Sequence, residues 1–166
     1  MPVVSNTSPL LNLAIIDRLV LIKQQFDKII IPNEVLTELK IDENLPGSQQ
    51  LREAIASGWI TVQRVEDRAL VKLLRRDLDR GESEAIALAT QLNADWLLLD
   101  EREGRKIART LGLKITGVLG IILKGWHEGE VESVKKLIER LRTKANFHVS
   151  PKLEQQILLE TGELKR

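Results

Sequence analysis

The sequence contains no cysteine and no tyrosine, and its 166 residues include two phenylalanines, three tryptophans and one methionine. Without cysteine, disulfide scaffolds, thiol nucleophiles and thiolate zinc sites are excluded, and the chain suits a reducing compartment. Aromatics at 3% leave little material for the base stacking that single-strand binders use. Neither sign of charge dominates: 25 Lys and Arg against 24 Asp and Glu give a net +1. Any attraction for phosphate must therefore come from a local patch rather than from the field of the whole molecule. No run approaches the ~20 apolar residues of a membrane helix. The opening Met1-Pro2-Val3-Val4-Ser5-Asn6 has neither the basic nor the apolar region of a secretion signal. These absences lead us to expect a soluble, cytoplasmic protein with no membrane association. What is present, 43% hydrophobic and 30% charged, is the balance of a folded chain, and the length fits one domain.

Short apolar runs alternate with longer helical periodicities. Val3-Val4, Ile29-Ile30-Ile31, Trp59 to Val65, Trp96 to Leu99 and Lys114-Ile115-Thr116 read as strands. Several are continuously apolar rather than alternating, as strands covered on both faces are. Ser8-Pro9 reads as a helix start, with Ser8 as cap and Pro9 at the first position, and Ser150-Pro151 repeats the device. Residues 10–16, 18–26, 33–40, 49–56, 84–92, 101–111 and 118–126 read as helices, Gly112 closing the one before it. Val131, Val134, Leu137, Ile138 and Leu141 trace one helical face, and a last helix carries Leu153, Ile157 and Leu158. This order predicts an open, mostly parallel sheet sandwiched by helices. Ligands of such sheets sit outside the carboxyl ends of the strands.

Polar residues stand at those ends. Asn6 follows the first strand, Glu38 lies two helical turns beyond the second, and Asp100-Glu101 follows Leu99. Glu84, with Glu82 nearby, opens the Ala-rich helix before that strand. Carboxylates gathered from distant segments repel, and a divalent cation is the usual remedy. Each also has an ordinary reading: Asp100 with Glu103 forms a capping pattern for the helix that follows, Glu82 and Glu84 suit a helix first turn, and Asn6 suits a turn. Two residues apart on a helix, Glu82 and Glu84 point about 200° from one another. Leu88 and Leu92 lie on the side of Glu84, so Glu84 is the one expected to face inward.

Five blocks, in order, resemble the PIN domain nucleases. They are Val3 to Ala14, Ile29 to Leu39, Gly81 to Ala89 (G-E-S-E-A-I-A-L-A), Leu97 to Arg105 (L-L-L-D-E-R-E-G-R) and Ile115 to Leu123. The resemblance implies a three-layer α/β/α sandwich with a mostly parallel central sheet, as one domain over residues 1–166 with a core over about 1–130 and a helical extension over about 131–166. It also implies an acidic pocket for Mg²⁺ or Mn²⁺, with RNA as substrate. Many members are toxins of toxin–antitoxin pairs, which makes an antitoxin protein an implied partner. Glu38 matches the second acid of the family, Glu84 the third, and Asp100 or Glu101 the later one. Thr7 and Ser8 match the small hydroxyl residues beside the first acid. That first acid, Asp in the family, is Asn6 here, an amide that coordinates without charge.

Two readings follow. In the first, Glu38, Glu84 and Asp100 act as catalytic acids of a ribonuclease, and Asn6 and Glu101 join them as metal ligands. Thr7, Ser8, Arg102, Arg105, Lys106 and Arg109 then contact the RNA backbone, the basic residues recurring three or four apart on one helix. In the second, favoured by Asn6, the chain is a non-catalytic module that binds RNA or a protein partner. A Ser–His–acid hydrolase fares poorly, because the two histidines, His127 and His148, come late in the chain and follow no G-x-S-x-G turn. The C-terminal amphipathic helices either complete the domain or form a homodimer face.

Overall fold

The computed structural model describes residues 1–164. Its strands are β1 (Val3–Ser5), β2 (Ile29–Ile31), β3 (Ile60–Val62), β4 (Trp96–Leu98) and β5 (Ile115–Thr116). The helices are α1 (Thr7–Ile15), α2 (Val20–Phe26), α3 (Asn33–Leu39), α4 (Ser48–Ala56), α5 (Arg68–Leu74), α6 (Arg80–Leu92), α7 (Arg102–Thr110), α8 (Val118–His127), α9 (Val134–Lys144) and α10 (Pro151–Thr161). The strands are all parallel, in the order β3-β2-β1-β4-β5. This is the α/β sandwich expected from the alternation of short apolar runs and helices.

Successive residues of a strand face opposite sides of the sheet, and the core divides accordingly. Val3, Ile29, Ile31 and Leu98 face a layer that includes Leu10, Leu13, Ile22, Leu51, Val118 and Ile122. Val4, Leu97 and Leu99 face the other layer, with Val71, Ile86, Leu88 and Ala108. Burial on both faces explains why these strands read as unbroken apolar runs. The C-terminal helices complete the first layer: Val134, Leu137, Ile138, Leu141 and Ile157 are buried in the same cluster as β1 and β2. Of the two C-terminal helices, α9 thus has its apolar face covered within the chain, whereas α10 leaves Leu153 and Leu159 exposed.

The chain runs outward from β1 to β2 and β3 on one side, then returns to place β4 and β5 on the other. The order therefore reverses between β1 and β4, and a crevice opens outside their carboxyl ends. Register puts Val4 beside Ile30, Ser5 beside Leu98 and Leu98 beside Thr116. The residues leaving β1, β4 and β5 are thus level with one another.

Two helix starts differ from expectation. α1 begins at Thr7 with Asn6 at its N-cap position, so Ser8 caps nothing and Pro9 lies inside the first turn. α7 is preceded by Glu101, whose side chain makes no capping bond, and the Asp100 carboxylate reaches the next helix start instead. Ser150 does cap α10, accepting from the Leu153 N–H at 3.2 Å, with Pro151 at the first position.

Candidate active site

Asn6 leaves β1 at the centre of the carboxyl edge. Its N–H donates to the Leu98 carbonyl at 2.9 Å, which ties it to the end of β4. The side chain is 3% exposed, and its Oδ1 has no hydrogen-bond partner. An orphaned acceptor so deeply buried costs about 1–3 kcal/mol.

Around Asn6 the next turns supply acids. Thr7, the first residue of α1, donates its hydroxyl to Glu38 Oε2 at 2.5 Å. Glu38 lies on the last turn of α3 against the start of α6. Gly81 there is without a side chain for a steric reason, because a Cβ would overlap the Glu38 carboxylate. Burial raises the Glu38 carboxyl above its ordinary range, and Asp79 and Glu34 add to the rise. The Thr7 hydroxyl and the Gly81 N–H work against it.

Glu82 is the most perturbed acid. Burial, the neighbouring Asp79, and the charges of Glu101 and Glu38 push its carboxyl up to about 8. It faces α7, where a Cβ at Gly104 would lie 3.3 Å from Glu82 Oε2. Its placement follows from the local capping. Asp79 accepts from the Glu82 N–H at 2.8 Å, so α6 starts at Arg80 and Glu82 occupies the third helical position.

Glu84, the residue expected to turn inward, is engaged elsewhere. Its Oε1 accepts from the Glu34 N–H at the start of α3 (3.2 Å) and its Oε2 from Arg68 at 3.1 Å. Both Glu82 and Glu84 are 8% exposed. The apolar neighbours used to choose between them carry no information, because every residue from Gly81 to Ala89 is buried. The informative signal was the D-x-x-E spacing of Asp79 and Glu82, which marks the helix start.

At the end of β4, Asp100 Oδ1 accepts from the Val118 N–H at 3.1 Å, capping α8, while its Oδ2 is buried without a partner. Burial raises this carboxyl above its usual range, with Glu101 adding and the Val118 N–H and Arg105 opposing. Gly117 allows this approach, since a Cβ there would overlap Asp100. Arg105 turns back to donate from Nε to the Leu99 carbonyl at 2.8 Å, bracing the same loop. Glu101 is exposed. Arg102, Lys106 and Arg109 are exposed on α7, Lys106 within 3.6 Å of Glu103.

The edge thus gathers Asn6 with Thr7, Glu38, Glu82 and Asp100 from four separate segments. Sequence reasoning missed Glu82's role here, and with it Asp79, Gly81, Gly104 and Gly117.

A family model described as a PIN domain matches residues 2–163. The chain belongs to the PIN domain family. It is also similar to a PilT N-terminus domain protein of the hyperthermophilic archaeon Sulfolobus solfataricus P2, at 15% identity over 90% of this chain and 98% of that one. With a TM-score of 0.46, that likeness is too distant to carry an argument about function. No curated protein matches the chain.

PIN domains are generally nucleases that use divalent cations. The donor set of this PIN domain fits such an ion. Its donors are all oxygens, as hard cations require, and two of them, Asn6 Oδ1 and Asp100 Oδ2, are buried and unbonded. Burial raises the carboxyls of Glu38, Glu82 and Asp100, a cost that a cation would remove. Among the described residues, no three Asp, Glu or His side chains form a ready-made metal cluster. Glu38 is turned to Thr7, Asp100 to Val118, and Asn6 at the centre of the edge offers an amide rather than an acid.

Proposed function

We propose that this PIN domain is a divalent-metal-dependent ribonuclease cleaving single-stranded RNA. The observation that carries the proposal is the pair of buried, unbonded acceptors, Asn6 Oδ1 and Asp100 Oδ2, at an edge whose acids are held above their ordinary range. Two polar atoms without partners beside crowded carboxylates are what a cation site looks like before the cation.

Asn6, Glu38, Glu82 and Asp100 would hold Mg²⁺ or Mn²⁺, with Glu101 at the rim. When bound, the cation lowers the pKa of a water molecule and offsets charge on the phosphodiester. The remaining work falls to the side chains. The Thr7 hydroxyl orients Glu38, the Val118 N–H fixes one oxygen of Asp100 and leaves the other facing inward, and Arg105 holds the loop that carries Asp100. Glu82 holds a proton near neutral pH and would release it on joining the ligand set. Arg102, Lys106 and Arg109 offer the RNA backbone contacts that carry little sequence information. Glu84 drops out of the catalytic set in favour of Glu82.

The test is a calorimetric Mn²⁺ titration with cleavage of a mixed single-stranded RNA in Mn²⁺ and in chelator. We expect metal binding with proton release, and cleavage in Mn²⁺ alone. Metal-independent cleavage, or no Mn²⁺ binding, overturns the reading. One observation favours a second reading: the neutral Asn6 at the centre and the absence of a ready-made acid cluster suit a module that binds RNA without cutting it. RNA binding without cleavage at saturating Mn²⁺ would select that module. As a nuclease the chain would serve as the toxin of a toxin–antitoxin pair. Growth arrest on expression, relieved by the product of an adjacent gene for a small DNA-binding protein, is the expected result.

A further inference from the structure

A cavity of about 520 Å³ extends from Asp100 and Glu101, at the acid edge, to the turn after α9. Its volume falls in the range of small-ligand sites, roughly 300–1,000 Å³. One wall is the edge itself, with Ser8, Asp100 and Arg105. The turn after α9 lines the cavity as well, with Asn146, Phe147 and His148. That turn is built to face inward. Asn146 adopts a left-handed conformation (φ 56°), and the Phe147 N–H returns to the Leu141 carbonyl at 3.1 Å, closing the helix and holding Phe147 half-buried against the core. His148 next to it is exposed.

The lining combines several chemistries. A guanidinium and a hydroxyl join the carboxylates of Asp100 and Glu101, and the turn after α9 adds an aromatic ring, an amide and an imidazole. That lining suits a single nucleotide, with its phosphate toward Arg105 and its base toward Phe147. The other aromatic residues, Phe26, Trp59, Trp96 and Trp126, do not line this cavity. In a chain with so few aromatics, one ring placed against the acid edge is a specific feature.

We infer that the cavity between Asp100 and the Asn146–His148 turn is a nucleotide subsite, in which Phe147 stacks on the base adjoining the cleaved phosphodiester of single-stranded RNA. The inference rests on the ribonuclease reading and gives the C-terminal helices a part in choosing the substrate. Phe147 and His148 are specificity-determining residues in it, outside the metal-holding set.

The experiment measures binding of fluorescein-labelled hexauridine to the full chain by anisotropy, with Ca²⁺ present. A second oligonucleotide of the same length carries ribose without bases. Phe147→Leu, which keeps an apolar packing group, is expected to weaken hexauridine binding roughly fivefold to a hundredfold, the scale of one lost base stack. It should leave the base-free oligonucleotide unaffected. His148→Ala, at an exposed position, should weaken hexauridine severalfold and covers the case in which Phe147→Leu unfolds. Tight hexauridine binding unchanged in both variants overturns the subsite and leaves the ribonuclease reading standing. An equal loss on both oligonucleotides also overturns it, since the base would play no part. A wild-type chain that binds neither oligonucleotide overturns the subsite and the ribonuclease reading together.

Discussion

Glu163 and Glu82 each stand at the start of a helix, and their surroundings are built in opposite ways. At the start of α9, Glu163 accepts from the Ser133 hydroxyl at 2.5 Å, the Thr161 hydroxyl at 2.9 Å and the Val134 N–H at 2.9 Å, with further contacts from the Lys135 N–H. Burial alone would raise its carboxyl, but these donors outweigh it and hold Glu163 below the ordinary range. At the start of α6, Glu82 faces Asp79, Glu101 and Glu38 and is pushed up to about 8. The first site is complete as it stands. The second is stable only when something positive, a proton or a cation, is added. A satisfied carboxylate is a fastening, whereas a crowded one is an invitation to a ligand.

The largest expected effect separates the two kinds of site by activity. Glu82→Gln and Asp100→Asn should each lower Mn²⁺-dependent RNA cleavage by at least about a hundredfold, the scale of losing one positioned proton-transfer group. Glu84→Gln, measured per folded molecule, should stay within a few fold of wild type. Loss at Glu84 equal to that at Glu82 would return Glu84 to the catalytic set.

Next in size is the response to metal at Asn6. Asn6→Asp adds a charged oxygen to the donor set, and the number of charged ligands is a main control on cation affinity. Tighter Mn²⁺ binding by calorimetry, with a lower melting temperature in chelator, is expected. Unchanged affinity would make Asn6 a turn residue alone.

The stability of Glu84 comes third. Its two hydrogen bonds are charge-assisted, and Glu84→Gln should cost about 1–3 kcal/mol, read as a shift of several degrees in the melt. Glu163→Ala should cost about 1 kcal/mol, the scale of a lost helix cap, with cleavage unchanged. A melt unaltered by Glu163→Ala would show that α10 docks through apolar contacts such as Ile157 alone.

The remaining effect is the pH slope in chelator, and its sign differs between the two sites. A carboxyl raised on folding binds its proton more tightly in the native state, so Glu82 lowers stability as pH rises from about 4.5 through 8. Glu163 is lowered on folding, so its contribution is present above about 4.5 and is lost as the solution becomes acidic. In melts across this range, Glu82→Gln should flatten the alkaline side and Glu163→Gln the acidic side. The reverse assignment would refute the contrast.

Much of this arrangement was legible in the sequence, and the gaps have physical causes. The unbroken runs Ile29–Ile31 and Trp96–Leu98 announced strands covered on both faces, and the sheet follows from them. Asn6, Glu38 and Asp100 were found because they leave strands or follow them closely. Glu82 was not, because apolar periodicity is uninformative on a helix buried on every side, and only the cap at Asp79 sets its rotation. Asp100 read as a cap for α7 because sequence shows only near neighbours, whereas its bond goes to Val118. Gly81 and Gly117 look like ordinary helix punctuation until the carboxylates that occupy their missing side chains are known.

The strand order has a consequence for the order in which the protein is made. β1 sits at the centre, between β2, which follows 24 residues after it closes in sequence at about Ile29, and β4, which begins only at Trp96. Asn6 takes its fixed position from the carbonyl of Leu98, and Asp100 takes its own from the N–H of Val118. A nascent chain emerging from the ribosome therefore exposes Asn6 and Glu38 long before the partners that hold the edge together exist. Whatever chemistry the edge performs waits until synthesis has passed Val118, and the cavity beside it waits for the Phe147 turn. Contacts so far apart in sequence also fold slowly, so the acid edge is among the last parts of the molecule to take shape.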